Sequence, residues 1–265
     1  MFSERSGRRF LCLSVLLSLL SCSIREDRTD CPCLLILDFS SLDGEALFRS
    51  GRDEVVWSVR SGDFRIGGRF QAEELPSEYV VEIPRETAFL MVAAGDEGLY
   101  GQDGVIVAPE GESFPPLSAF VAEVDGSLPE LTVPVVLHKR YAVLDILLRD
   151  MLQDGASYAI VGEKCGYGSD LQPVSGRLSI PLIPDGEGRC SVAVPAQTDG
   201  SLAVCIYRYG ELERVFSLGS CLSDSGYDWF AEDLEDISLE IDYVDGSVRI
   251  KCDQWSNSVF FTIAV

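Results

Sequence analysis

The stretch ISLEIDYVDGSVRIK, residues 237–251, decides the fold class of this chain. Two strand candidates, residues 237–243 and 247–251, flank the link Val244-Asp245-Gly246. An Asp-Gly pair between two such segments is a strong local signal for a β-hairpin. The stretch therefore predicts antiparallel β-structure, and the chain on either side of it continues the same pattern.

Outward from this hairpin, most of the chain is predicted to be β-structure. Short segments rich in β-branched or aromatic residues are bounded by Gly, Pro, Asp and Ser. The predicted strands are residues 34–39, 54–59, 64–66, 79–83, 88–93, 104–107, 131–137, 141–148, 157–162, 177–183, 189–194, 202–209, 213–218, 237–243, 247–251 and 258–265. Pro134 predicts an edge position for its strand, and Gly210-Glu211-Leu212 predicts a second hairpin. A helical turn capped by Asp228 is predicted between Gly226 and Leu234.

This pattern predicts an all-β protein built of two tandem β-sandwich domains. The boundary is predicted near residue 138, which gives an N-terminal sandwich over 34–137 and a C-terminal sandwich over 138–265. The strand 141–148 is largely apolar on both faces, so it is predicted inside a sheet or at a domain interface. One large sandwich is the alternative.

The N-terminal segment has the anatomy of a secretory signal. Arg5, Arg8 and Arg9 precede the largely apolar residues 10–20, and Ser21 stands before Cys22. The apolar stretch is shorter than the roughly 20 residues that span a bilayer. We predict a lipoprotein signal peptide over 1–21 and lipidation of Cys22. The alternative is an ordinary cleaved signal in which Cys22 is incidental.

Lipidation would place the protein at a membrane surface. Two or more acyl chains give stable anchoring, whereas one chain holds a protein only marginally. Residues 22–33 are then a lipidated tether, and its Glu26-Asp27 pair resembles the surface-export signal of lipoproteins in some Gram-negative anaerobes. The alternative interpretation is a solvated tether that carries no export signal.

The charge balance restricts the partners. The chain has 21 Lys+Arg against 43 Asp+Glu and a net charge of −22. Without residues 1–21, which hold three arginines and Glu4, the balance is 18 − 42 = −24. The negative electrostatic field of this net charge repels nucleic acid and anionic lipid headgroups, so no nucleic-acid partner is predicted.

Side chains for catalysis or metal binding are few. The only histidine is His138, so it would have to be the general base of any nucleophilic triad. It lies at the proposed domain junction, where a hinge or surface role is the favoured interpretation. No catalytic residue, metal site or cofactor is predicted, and the acidic run 232–236 is interpreted as a solvated edge. Seven cysteines remain after Cys12 and Cys22, and they are interpreted as disulfide partners or buried thiols of undetermined pairing. They are Cys31, Cys33, Cys165, Cys190, Cys205, Cys221 and Cys252.

Four features in this order resemble the anchor and minor-subunit lipoproteins of type V fimbriae. Cys22 and its acidic tether lead through Asp30-Cys31-Pro32 into the first strand. The basic, aromatic segment 137–142 then opens the second domain, the strand 236–243 lies near the chain end, and Trp255 precedes the final strand.

The resemblance implies transthyretin-like sandwiches, export to the outer-membrane surface, and fimbrial stalk subunits as partners. In this family, subunits associate by β-strand addition, and stalk subunits are cut after an arginine while anchors keep their lipid. Arg49 and Arg52 are the candidate cleavage sites here, with uncut loop arginines as the alternative. The strand 258–265 is expected to complete the protein's own sandwich, with donation to a neighbour as the alternative.

Three other functions stay open at this stage. The chain could be a polymerising stalk fimbrillin, cut near Arg49 or Arg52. It could be a glycan- or protein-binding surface lipoprotein, with Trp57, Trp229 and Trp255 as an aromatic platform, although isolated aromatic residues more often lie in the core. A hydrolase is the third possibility, and it has no support from a specific motif.

Overall fold

The computed structural model describes residues 31–96, 105–149, 155–252 and 259–262. The predicted signal peptide, Cys22 and Trp255 lie outside these residues. The described strands, in chain order, are β1 Cys33–Asp38, β2 Glu54–Ser61, β3 Phe64–Gln71, β4 Glu78–Ile83, β5 Thr87–Gly95, β6 Ile106–Val107, β7 Ser118–Asp125, β8 Glu130–Pro134, β9 His138–Lys139, β10 Tyr141–Arg149, β11 Ala156–Tyr167, β12 Pro173–Leu182, β13 Arg189–Pro195, β14 Ala203–Arg208, β15 Glu211–Ser217, β16 Ile237–Asp242, β17 Ser247–Cys252 and β18 Val259–Thr262. The described helices are Gly44–Arg49, Leu218–Ser225 and the 3-10 turn Ala72–Glu74.

The strands form four sheets that confirm the all-β fold class. A three-stranded sheet has the order β4-β1-β8, and a five-stranded sheet has the order β3-β2-β5-β7-β9. Buried side chains of both sheets form one hydrophobic core, to which Leu35, Trp57 and Leu90 belong. These two sheets are therefore the layers of a β-sandwich.

A second pair of sheets encloses the other core. One sheet has the order β13-β10-β16-β17-β18, and the other has the order β12-β11-β14-β15 with β6 beside β11. Leu144, Ile160 and Ile241 pack in the core between them. In each sandwich the first strand pairs in parallel with a later one, β1 with β8 and β10 with β16.

One segment of the first half reaches into the second sandwich. Strand β6 pairs with the end of β11, and Phe114 N–H donates to the carbonyl of Ala193. Phe114 and Leu117 belong to the second core although they precede residue 138. A Cβ on Gly166 would lie 1.9 Å from the Ile106 carbonyl oxygen, so only glycine permits this close approach. The domain boundary near residue 138 itself stays a prediction.

Most predicted strands are present, often with longer bounds. Strand β8 lies at a sheet edge, as Pro134 predicted. Strands β16 and β17 pair antiparallel across the Asp245-Gly246 turn. The β14–β15 hairpin is also present, but its turn lies one residue earlier than predicted, at Tyr209 and Gly210, which both have positive φ.

Two predictions about local structure are wrong. Strand β7 is present in the structure, but the sequence pattern did not predict a strand there. The helix near residue 226 lies before that glycine, over Leu218–Ser225, instead of after it. Gly226, at φ 85°, ends the helix in the left-handed conformation, and Asp228 accepts a hydrogen bond from Phe230 N–H in a turn that is not helical.

Candidate functional site

Strand β1 is the centre of the first three-stranded sheet. It pairs antiparallel with β4 on one side and parallel with β8 on the other. Cys33, Leu35 and Leu37 are each 0% exposed and point into the first core. The strand therefore supplies both ladder hydrogen bonds and core volume that no other described segment replaces.

A short helix follows β1 and contains one of the two candidate cleavage arginines. Asp43 caps the helix by accepting a hydrogen bond from Ala46 N–H at 3.1 Å. Arg49 is its last residue, is exposed, and lies 3.8 Å from Glu45. The Arg49–Ser50 bond thus lies at a surface helix end, between β1 and β2.

Arg52 is held more closely than Arg49. Its guanidinium donates to Ser50 Oγ at 2.5 Å and to the hydroxyl of Tyr141 at 3.4 Å. Arg52 thereby links the loop after β1 to the first long strand of the second sandwich. Whether either arginine is cut stays a prediction.

Two aspartates of the acidic run 232–236 accept hydrogen bonds from the basic segment 138–140 between the sandwiches. Asp233 accepts a hydrogen bond from Lys139 N–H at 2.6 Å and contacts His138 Nδ1 at 3.0 Å. Desolvation raises the pKa of Asp233, but the hydrogen bonds from His138 and Lys139 outweigh it, so the net pKa is lowered.

Asp236 is the second aspartate that contacts this segment. Its Oδ1 accepts hydrogen bonds from Val143 N–H at 2.7 Å and from Lys139 Nζ at 2.5 Å. We call His138, Lys139, Val143, Asp233 and Asp236 the junction clamp. The interpretation of residues 232–236 as a solvated edge is therefore wrong for Asp236, whereas the side chain of Asp233 makes its contacts while 65% exposed.

Tyr167 fixes the next residue of the junction. Its hydroxyl donates to the Arg140 carbonyl at 2.7 Å and accepts from Ala196 N–H at 2.9 Å. Burial raises the pKa of Tyr167 to about 12, so the hydroxyl stays protonated as this donor. The junction is consequently tied to the second sandwich by both its backbone and its side chains.

The last described strand, β18, lies at a sheet edge. Strand β18 pairs antiparallel with β17, so that Ser247 faces Thr262 and Ile250 faces Val259. This pairing agrees with the expectation that the last strand completes the protein's own sandwich. One side of β18 has no neighbouring strand in the described part of the sheet.

The cysteines and charged groups form no metal centre among the described residues. Six thiols are free in the described ranges, those of Cys31, Cys33, Cys165, Cys190, Cys205 and Cys221. Burial raises the pKa of Cys190 to about 11. No group of three or more His, Cys, Asp or Glu side chains in the described ranges could hold a metal ion. Within those ranges no helix is long and apolar enough to cross a membrane.

No family model and no curated protein matches the chain by sequence. Solved structures do match its fold. A Bacteroides thetaiotaomicron protein described as a candidate polysaccharide-binding protein is 13% identical, has a TM-score of 0.61, and is matched over 98% of its length and 88% of this chain. The fimbrial anchor protein Mfa2 of Porphyromonas gingivalis is 11% identical, with a TM-score of 0.56 over 98% of its length and 85% of this chain. A candidate adhesin of Bacteroides ovatus is 13% identical, with a TM-score of 0.52 over 96% of its length and 86% of this chain.

These neighbours define the class of protein at the level of the fold. The fold of this chain is one that a fimbrial anchor and an adhesin-like surface protein share. This confirms the resemblance to minor fimbrial subunits that the sequence indicated. By their descriptions these neighbours are a fimbrial anchor protein, a candidate adhesin and a candidate polysaccharide-binding protein, and what this chain shares with them is the fold.

Proposed function

We propose that the protein is a surface lipoprotein of the outer membrane that anchors a type V fimbria, or forms a minor subunit at its base or tip. The lipid on Cys22 holds the chain in the membrane, residues 22–33 form the tether, and the sandwiches over 34–137 and 138–265 contact the fimbrial stalk subunits. The fold shared with a fimbrial anchor protein supports this proposal.

The observation that carries the proposal is the position of β1. Because β1 lies between β4 and β8, the groove that a neighbour's strand would occupy in this sheet is already filled by the protein's own chain. A neighbouring subunit must then use another edge, and within the described part of the sheet β18 offers one. Unpaired backbone groups at such an edge favour β-strand addition.

The lipid can be tested with a matched pair of cysteine variants. Cys22→Ala should release the protein and its pili from the cell, whereas Cys12→Ala, which alters a cysteine of the same signal region, should leave both attached. Pili are scored for attachment and length by electron microscopy, and the protein is followed through membrane fractionation. A Cys22→Ala protein that stays in the membrane fraction with normal pili would refute the anchoring mechanism.

The stalk alternative is tested by the N-terminus of the surface protein. Cleavage after Arg49 or Arg52 gives a chain that starts at Ser50 or Asp53. An anchor keeps its N-terminal segment, so the protein from the cell surface should have a blocked, lipidated N-terminus. An N-terminus at Ser50 or Asp53 would favour a polymerising stalk subunit instead.

A further inference from the structure

A cleft beside the helix Leu218–Ser225 has the composition of a ligand site. It has a volume of about 410 Å³ and is lined by residues 197–200, 219, 220, 223 and 227–230. This volume lies within the range of about 300–1,000 Å³ that small-molecule sites occupy. Gly200 and Gly219 contact each other there, because a Cβ on Gly219 would lie 2.2 Å from the Gly200 carbonyl oxygen.

Aromatic side chains line one part of the cleft, in a fixed arrangement. The ring of Trp229 packs against Tyr227 at a centroid distance of 4.6 Å and an angle of 68°. Tyr227 donates from its hydroxyl to the Glu235 carbonyl at 2.7 Å, and Asp228 holds Phe230 N–H at 2.8 Å. Phe230 is nevertheless 75% exposed. A large apolar ring that is left in water beside a fixed aromatic pair is typical of a contact surface.

The remaining lining is polar. Asp199 and Asp228 contribute carboxylates, and no Lys or Arg of the described residues lines the cleft. Lys164 stands behind Asp199, with 3.8 Å between Nζ and Oδ2. The hydroxyls of Thr198 and Ser223 line the cleft and have no hydrogen-bond partner within the described ranges. The cleft therefore offers acceptors and hydroxyl groups beside an exposed aromatic ring.

We propose that this cleft binds a neutral oligosaccharide. A pyranose ring has an apolar C–H face that can stack on Phe230 and Trp229, and a rim of hydroxyl groups that can donate to the carboxylates of Asp199 and Asp228. An apolar peptide side chain would leave the hydroxyls of Thr198 and Ser223 without partners, which is costly. A phosphate or uronate would be repelled by the two carboxylates.

The test is affinity electrophoresis of the full chain through gels that contain one polysaccharide each. Mannan, xylan, starch and a β-glucan are the neutral probes, and polygalacturonate is the anionic one. Phe230→Ala is compared with Phe89→Ala, which removes another exposed phenylalanine, 55% exposed, from strand β5 of the first sandwich. At least one neutral polysaccharide should retard the wild type and Phe89→Ala equally, and Phe230→Ala should weaken that binding at least tenfold.

Three results would overturn the proposal. They are no retardation by any neutral probe, equal binding by Phe230→Ala and Phe89→Ala, and stronger retardation by polygalacturonate than by the neutral probes. Thr198→Val gives a second test that leaves the aromatic rings in place, and it should also weaken binding. The site does not depend on anchoring, so Phe230→Ala should leave pili attached to cells, whereas Cys22→Ala should release them without changing retardation.

Discussion

The junction clamp makes the sharpest prediction about stability, and Asp236→Ala is the variant that tests it. Asp236 joins the segment before the second sandwich to two of its strands, because it directly precedes β16 and accepts hydrogen bonds from Lys139 and Val143. The substitution removes both contacts at once. It also leaves Val143 N–H, in the partly buried centre of the clamp, without its acceptor.

The size of the loss follows from these contacts. A hydrogen bond to a charged group contributes about 1.5–3 kcal/mol, whereas a solvent-exposed ion pair contributes at most about 1 kcal/mol. The carboxylate of Asp236 is 35% exposed and Lys139 is 24% exposed, so their ion pair is discounted for screening. The sum is about 1.5–4 kcal/mol of unfolding free energy, and for a domain of this size that lowers Tm by roughly 3–16 °C.

The assay is thermal and urea unfolding followed by circular dichroism, with Glu232→Ala as the matched control. Glu232 lies in the same acidic run and is exposed, and its removal should change Tm by no more than about 1–2 °C, as for most surface substitutions. Asp236→Asn keeps an acceptor oxygen for Val143 N–H but removes the charge, so it should fall between the two. If Asp236→Ala unfolds at the same temperature as Glu232→Ala, the clamp does not stabilise the junction.

Two further predictions concern the contacts between the halves. Gly166→Ala should lower the unfolding free energy by about 2 kcal/mol or more, because a buried contact must shift to admit the new methyl group beside Ile106. The control is Gly186→Ala, whose Cβ would have nothing within 4 Å. Equal urea midpoints for the two variants would contradict the close-contact argument. The lowered pKa of Asp233 should stabilise the fold above the ordinary aspartate pKa of about 3.9, and this contribution should disappear as the pH falls through the folded-state pKa. In urea titrations from pH 6 to pH 2, Asp233→Asn should therefore lose less stability on acidification than the wild type, and parallel curves would show that the His138 contact has no such effect.

The strand content could be predicted because it is a local property. β-Branched and aromatic runs between turn residues locate most strands within a few residues, and the Asp245-Gly246 turn fixes one hairpin. Strand β7 was missed because Ala119, Ala122 and Glu123 are residue types that strands disfavour, and its pairing with β5 and β9 stabilises it there.

The helix was misplaced for a related reason. Leu218–Ser225 contains glycine and serine, which are poor helix formers, so propensity gives little signal. Gly226 was interpreted as the start of a helical turn, whereas it is the left-handed residue that ends the helix. Gly226 comes one turn after the apolar pair Cys221-Leu222, and a glycine in that position is the signal that could have located the end of the helix.

The candidate sites depend on pairings between distant residues, which a single sequence does not reveal. The acidic run and the basic junction are each visible, but the parallel pairing of β10 with β16 is what brings Asp236 to Val143. Likewise, Trp229 was considered as part of a platform with Trp57, yet Trp57 is 3% exposed in the first core. The structure instead places Trp229 beside Phe230 in the cleft.

The order of the N-terminal features explains why anchoring and polymerisation through the first sheet would exclude each other in one molecule. Cys22 and the whole of β1 precede Arg49, so a cut after Arg49 would separate the proposed lipidation site and the central strand from the rest in one step. Losing Leu35 and Leu37 alone would cost about 2–5 kcal/mol each, which is comparable to the total stability of about 5–15 kcal/mol of a typical domain. The released sandwich would therefore need a strand from a neighbour to stay folded. In the proposed anchor an uncut chain would need none and would keep its lipid, so cleavage after Arg49 or Arg52 would decide which of the two roles a given molecule can perform.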